Sequence, residues 1–282
     1  MLADNNTTQT QPDNANIGWR IKQLRLSRGL QQRALARQAS IDPSYLSRLE
    51  RGVIQKARPK PQTIKRILDA LGATPDERAS VYHVEEAPMP AEEIEYWVKW
   101  VAEHEEDSPY PTSLFDDRWF RCYLNRSARA AFGLTIEEYR QVIGEHLLDS
   151  LISPTSILYT RLSEELRRRM FASLSVAFKL HFARQQFDRW YLEVVDKIQR
   201  VPWAAQIWNN PPEDLSERMD RHELIVDNPI VGRLSFIVQF NRLLRSPRLF
   251  IVDWTPTDEQ TRQGLAELVR RPEFSYRVPD DL

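Results

Sequence analysis

Between residues 17 and 72, apolar positions recur at three- and four-residue steps in four short bursts. Ile21 and Leu24 mark the first burst and Leu35, Ala36 and Ala39 the second. Leu46 and Leu49 mark the third, and Ile64, Ile67, Leu68 and Leu71 the fourth. This spacing puts each set on one face of an amphipathic helix. Gly29, Gly52 and Gly72 each follow one of these runs, where a left-handed C-terminal residue is wanted. Asp42 is placed to cap the third helix, with Pro43 at the first helical position, where its missing N–H costs nothing. Thr74-Pro75-Asp76-Glu77 has the form of a capping box and predicts a fifth helix to about His83. The patterns Gln31–Ala39 and Pro43–Arg51 are separated only by Ser40-Ile41-Asp42. That separation suits a helix-turn-helix, whose second helix enters the DNA major groove.

Beyond residue 84 the pattern changes. Glu85-Glu86-Ala87-Pro88-Met89-Pro90 is acidic and broken by proline, as a linker is. Helical spacing resumes over Ala91–His104, with Ile94, Trp97, Val98 and Val101 on one face. A helix there either connects domains or subunits, or simply packs on its own domain. Ser113–Phe115 and Trp119–Leu124 read as paired strands around a turn at Asp116-Asp117. Asn125 then leads into a helix over Arg126–Phe132 that ends at Gly133. Short helices are predicted over Ile136–Val142 and Glu145–Ile152. A long helical region covers Leu162–Gln199, interrupted near Ala183–Gln185. After Pro211-Pro212 the period becomes two. Glu223–Asp227, Val231–Leu243 and Leu249–Trp254 read as strands, the last apolar on both faces and therefore central. Thr255 or Thr257 is placed to cap a final helix through Val269. This order of strands, helical block, strands and helix predicts an α+β domain with an antiparallel sheet.

Charge separates the two regions. Residues 17–72 carry thirteen Lys and Arg against three acids, within a chain of net charge −1. Such asymmetry is that of a nucleic-acid-binding module joined to something that is not one. The chain has 282 residues, 41% of them hydrophobic, and eight Trp, enough for a second core. Its one cysteine, Cys122, excludes an intramolecular disulfide and fits a reducing cytoplasm. No apolar run is long enough to span a membrane. The polar start MLADNNTTQTQPDNAN lacks the apolar core of a signal peptide.

The stretch LQQRALARQASIDPSYLSRLERG resembles the lambda-repressor-like (XRE) helix-turn-helix family. The resemblance implies an all-α, five-helix DNA-binding domain. It also implies that Gln32 holds a phosphate and that Ser44, Ser47 and Arg48, with Arg33 and Tyr45 beside them, face the DNA. Arg48 is the candidate reader of guanine. Arg25 and Glu50 match a family pair that ties the first helix to the third. Lys56, Arg58 and Lys60 are candidate phosphate contacts or a solvated charge run. Pro43 departs from the polar base reader that many relatives carry there. Three further segments, WFRCYLNRSARAAFG, NPIVGRLSFIVQF and RLFIVDWTPTDEQTRQGLAELVRRP, resemble the ligand-binding domain of MmyB-like (MltR-type) regulators, a PAS-like domain. The expected organisation is a disordered tail over 1–15, a DNA-binding domain over 16–84, a linker and connecting helix over 85–108, and a PAS-like ligand-binding and dimerisation domain over 109–275.

That second resemblance implies a small apolar ligand, with medium- or long-chain fatty acids the leading class and no obligatory cofactor. Met170, Leu174, Phe178 and Phe182 on a helix face, opposite Leu234, Phe236, Val238 and Phe240 on a sheet face, are candidates to enclose it, with Trp190 nearby. His181, Arg184 or Arg233 is placed to meet a carboxylate head. Taken singly, each of these residues suits a plain core; taken together they favour a ligand, and the alternative for the domain is a dimerisation or protein-interaction module without one. Enzyme chemistry is not expected. The five histidines are scattered, and no P-loop, GxSxG or GxGxxG is present. The reading is a cytoplasmic, homodimeric transcriptional regulator, a repressor by expectation, on a pseudo-palindromic double-stranded operator.

Overall fold

The computed structural model describes residues 17–53, 59–83, 86–212 and 222–276. The chain divides into two compact units. The first takes the described residues up to Glu86 together with Lys179–Glu193, and the second takes Ala87–Phe178 and the chain from Val194 onward.

The first unit has five helices: α1 (Ile17–Ser27), α2 (Gln32–Gln38), α3 (Pro43–Glu50), α4 (Pro61–Ala70) and α5 (Pro75–Tyr82). Their predicted apolar faces meet in one core. Asp42 caps α3 by accepting from Tyr45 N at 3.0 Å, with Pro43 at N1. Thr74 and Glu77 form the expected capping box of α5. Ser40, in the turn between α2 and α3, holds a left-handed φ of 52°. Residues 179–193, expected in the helical block of the second domain, bring Phe187 into this core and Asp188 against α1. The Trp19 and Phe187 rings meet edge to face at 6.1 Å. Arg20, fully buried, donates to the carbonyls of Ser80 (2.6 Å) and His83 and reaches Asp188 Oδ1 at 3.4 Å. His83 Nε2 lies 3.1 Å from Asp188 Oδ2, and Gln186 donates to Ser80 Oγ at 3.1 Å.

The second unit opens with α6 (Ala91–Glu105), which packs on its own domain. Trp97 and Val101 join Leu114, Tyr123 and Leu249 in one cluster. Glu106, just past its end, accepts from Arg129 Nη2 at 2.5 Å and from the Tyr123 hydroxyl. The strands β1 (Thr112–Phe115), β2 (Arg121–Leu124), β3 (His222–Asn228), β4 (Gly232–Leu243) and β5 (Ser246–Pro256) form one antiparallel sheet in the order β2-β1-β5-β4-β3. Between β2 and β3 run α7 (Arg126–Phe132), α8 (Ile136–Val142), α9 (Asp149–Ile152), α10 (Ile157–Arg161), α11 (Glu164–His181), α12 (Arg189–Gln199) and α13 (Pro202–Asn209); α14 (Glu259–Leu268) follows β5. The molecule is therefore a multidomain α plus β protein, a helical region followed by a five-stranded antiparallel sheet with helices.

Two asparagines set this topology. Asn125 caps α7 through Ala128 N and also accepts from Thr112 N, both at 2.9 Å. Asn228, buried at the β3–β4 turn, donates to the carbonyls of Ala130 and Ala131 and accepts from Ile230 N. Some local expectations shift. Trp119 has φ 66° and belongs to a turn in which Asp116 Oδ1 accepts from Arg118 N and Phe120 N, so β2 begins only at Arg121. The helix expected over Glu145–Ile152 shortens to α9, because His146 bridges Phe120 in an extended conformation. Asp258, three residues before Thr261, caps α14 by accepting from the Thr261 N–H at 2.7 Å, in place of either threonine. Gly264 in α14 lies against β4, where a Cβ would stand 3.0 Å from Leu234 Cδ2.

Candidate functional site

In α3 the buried stripe is Leu46, Leu49 and Glu50, and Ser44, Arg48 and Arg51 are exposed on the other side. Ser47 and Tyr45 flank that outer face and are half-buried, Tyr45 against the core. Arg33 and Arg37 are exposed on α2, and Lys60 is exposed at the start of α4. Lys56 and Arg58 lie outside the described residues. The outer surface of α2 and α3 is thus cationic with small hydroxyls at the N-terminal end of α3, the end that a recognition helix turns to base edges.

An internal charge pair ties α1 to α3. Arg25 binds Glu50 bidentately, Nε to Oε1 at 2.8 Å and Nη2 to Oε2 at 2.9 Å, and donates to Leu30 O at 2.7 Å. The hydrogen bond to Glu50 raises the Arg25 pKa further. Gln32 Nε2 also donates to Glu50 Oε2, at 2.9 Å. The amide expected at a phosphate therefore has one of its two N–H donors engaged inside the domain. Asp42, the cap, has its pKa held below the usual carboxylate range, chiefly by the Tyr45 N–H.

The second unit contains a cavity of about 60 Å³ between the sheet and the helices. From the expected set, Met170, Leu174, Val238 and Phe240 line it. The others lie elsewhere. Phe178 fills the core against Trp119 and His146, each 5.5 Å away. Phe236 packs on Trp254 at 5.7 Å, and Leu234 faces α14 at Gly264. His181, Phe182, Arg184 and Trp190 fall in the first unit, because α11 leaves the second after Phe178. His181 and Arg184 are exposed there, and Arg233 is exposed on β4.

Among the described lining residues, the hydroxyl and charged side chains are Ser113, Arg121 and Ser150. Arg121 is the member that the sequence reading missed. It sat in a predicted strand among apolar residues, and its inward alternation with Tyr123 was the only signal. Its guanidinium lies 5.3 Å from the Phe115 ring, donates to Val142 O at 3.2 Å and reaches Ser150 Oγ at 3.4 Å. The nearest carboxylate, Glu145, stands 3.7 Å away and also accepts from Ser156 Oγ at 2.9 Å. Burial pulls the Arg121 pKa down to about 10 and pushes that of Glu145 up. Cys122, half-buried on the next position of β2, has its thiol pKa pushed up by burial, the reverse of an activated nucleophile. Among the described residues, no group of three or more His, Cys, Asp or Glu is placed to hold a metal, and no helix is long and apolar enough to cross a membrane.

Residues 16–81 match the family described as the helix-turn-helix domain. No curated protein matches the chain. The family match supports a DNA-binding transcription regulator.

Proposed function

We propose that the chain is a sequence-specific regulator that reads DNA with α3 and senses a small apolar ligand in its second unit. The observation that carries the first half is the exposed Ser44–Arg48–Arg51 face, set by the buried Arg25–Glu50 pair. Arg48 reads a guanine, and Arg33, Lys60 and the remaining N–H of Gln32 hold phosphates. One such domain covers about one half-site, so the chain acts as a homodimer on a pseudo-palindromic operator. We take it to repress.

The apolar cavity supports the second half, and a fatty acid is the ligand class in keeping with the resemblance to MmyB-like regulators. The cavity is smaller than the ~150 Å³ void that takes a benzene. A fatty acid must therefore open it, and Met170 is a flexible wall for that purpose. A ligand that fits only an opened state has the differential affinity that shifting an equilibrium requires. The same small volume favours, as a second reading, a domain that only dimerises or binds protein.

The test is selection of bound duplexes from a random pool, followed by titration of the best one. A selected site with two related half-sites, bound by a dimer, is expected. Recovery of no preferred sequence would remove the regulator reading.

A further inference from the structure

The β4–β5 hairpin ends in a tip that local folding does not explain. Leu243 pairs with Ser246, so the turn is the two residues Leu244-Arg245. Neither has the positive φ of the favoured two-residue turns, and neither is a turn-forming residue. Leu244 is fully exposed, with Arg242 and Arg245 exposed on either side. Residues 241–248 hold three arginines and no acid, within a chain of net charge −1. Arg245 makes no ion pair among the described residues. The outer face of α6 is opposite in charge. The helix carries five glutamates against one lysine, and its exposed Glu92, Glu95 and Glu103 make no ion pair among the described residues. Between these carboxylates Tyr96 is exposed, its ring edge to face with Trp97 at 5.2 Å, and Trp100 is half-buried, stacked on His104 at 4.4 Å. The two patches are neighbours on the second unit, because Leu243 packs on the cluster that Trp97 and Val101 of α6 help to build.

We propose that the hairpin tip and the outer face of α6 form the interface between two copies of this chain. The assignment rests on the reading of the chain as a homodimer and names the surface that makes it. The tip of one copy lies on α6 of the other, and the reciprocal contact closes the pair. A two-fold axis needs such a self-complementary patch, and here both halves belong to one unit. Leu244 of one copy is buried against Tyr96 and Trp100 of the other, and Arg242 and Arg245 meet Glu92, Glu95 and Glu103. Within a single copy the tip has no such seat, since Leu244 is fully exposed. An apolar centre with charged groups at the rim is the usual build of an interface. The rim charges set partner and register more than strength, so the opposite signs select a second copy of the same surface.

The test is sedimentation and native mass spectrometry of the full-length protein over a range of concentrations. The wild type is expected to dimerise. Leu244→Asp changes a fully exposed position, so the fold is expected to survive, with an unchanged Tm as the check. It sets a carboxylate against an acidic helix and should weaken dimerisation about tenfold or more. A charge swap tests the partner surface. Arg245→Glu in one preparation, and Glu92→Arg with Glu95→Arg in another, should each dimerise poorly alone, and mixing the two should restore a dimer with one copy of each. A wild-type dimer that Leu244→Asp and Arg245→Glu leave unchanged overturns this interface and leaves the homodimer reading standing. Loss in these variants without recovery on mixing overturns α6 as the seat. A wild type that stays monomeric at every concentration overturns the homodimer reading itself.

Discussion

Arg20 of α1 and Asp188 of the segment between α11 and α12 are partners across 168 positions of sequence, both fully buried, with Nη2 and Oδ1 3.4 Å apart. Asp188 also holds His83 at 3.1 Å, so one carboxylate closes both the beginning and the end of the five-helix region. Asp188→Ala leaves a buried guanidinium without its carboxylate and should cost about 3–5 kcal/mol. Denaturant unfolding followed by a probe in the first unit checks this. A loss under about 1 kcal/mol would show that the backbone carbonyls of Ser80 and His83 suffice for Arg20.

A fragment ending at Glu86 lacks Phe187 and Asp188. It should melt below the first unit of the full chain, and a peptide of residues 179–193 added in trans should restore part of the difference. Identical melting with and without the peptide would count against this.

At the DNA surface the two kinds of contact should separate. Arg48→Ala should weaken the best selected site by about 1–3 kcal/mol and relax the preference at one base position. Arg33→Ala should weaken all sequences alike and lower the salt slope by about one ion. Titrations at several salt concentrations distinguish the two, and the assignment falls if Arg48→Ala behaves as Arg33→Ala does.

His146 is buried between Phe120 and Phe178, with Nδ1 accepting from Leu148 N, and burial pulls its pKa down from 6.5 to about 3. Below pH 6.5 the unfolded chain takes a proton that the folded chain refuses. Stability from this group therefore falls by about 1.4 kcal/mol per pH unit on acidification. Asp116 acts in the opposite sense between 3.8 and about 6, because burial lets its folded carboxyl keep a proton that the unfolded one has lost. The clean comparison is wild type against His146→Gln at pH 7 and pH 5.5. The stability gap should narrow at the lower pH, and an unchanged gap would refute a neutral His146.

Gly264 looks like a weak point in α14, since Ala is worth up to about 1 kcal/mol more than Gly in a helix. A Cβ there would meet Leu234 at 3.0 Å and Val231 at 3.3 Å. Crowding a packed contact costs about 1–3 kcal/mol, so Gly264→Ala should bring no gain in thermal stability. A higher Tm would mean that Leu234 moves aside freely.

The sequence exposed what local physics dictates. The four apolar bursts, the caps at Asp42 and Thr74, the central place of β5 and the Asn125 step all follow from spacing and donor accounting. The Arg25–Glu50 pair was reached through family resemblance, and the structure contains it. Long-range pairing was not legible. Nothing at Phe187 or Asp188 marks them as parts of a helical region that ends a hundred residues earlier. An aromatic and an acid beside a helix start suit any neighbour. Arg121 was hidden for a related reason. Its alternation with Tyr123 points inward, but a lone cation there does not show which elements will bury it.

The excursion of residues 179–193 has a further consequence for biosynthesis. A chain leaving the ribosome presents all five N-terminal helices early, yet Phe187 and Asp188 emerge about a hundred residues later, several seconds at roughly 5–20 residues per second. During that interval Arg20 has no Asp188 to pair with. The half-made chain should then hold α1 against the end of α5 less tightly than the finished one does.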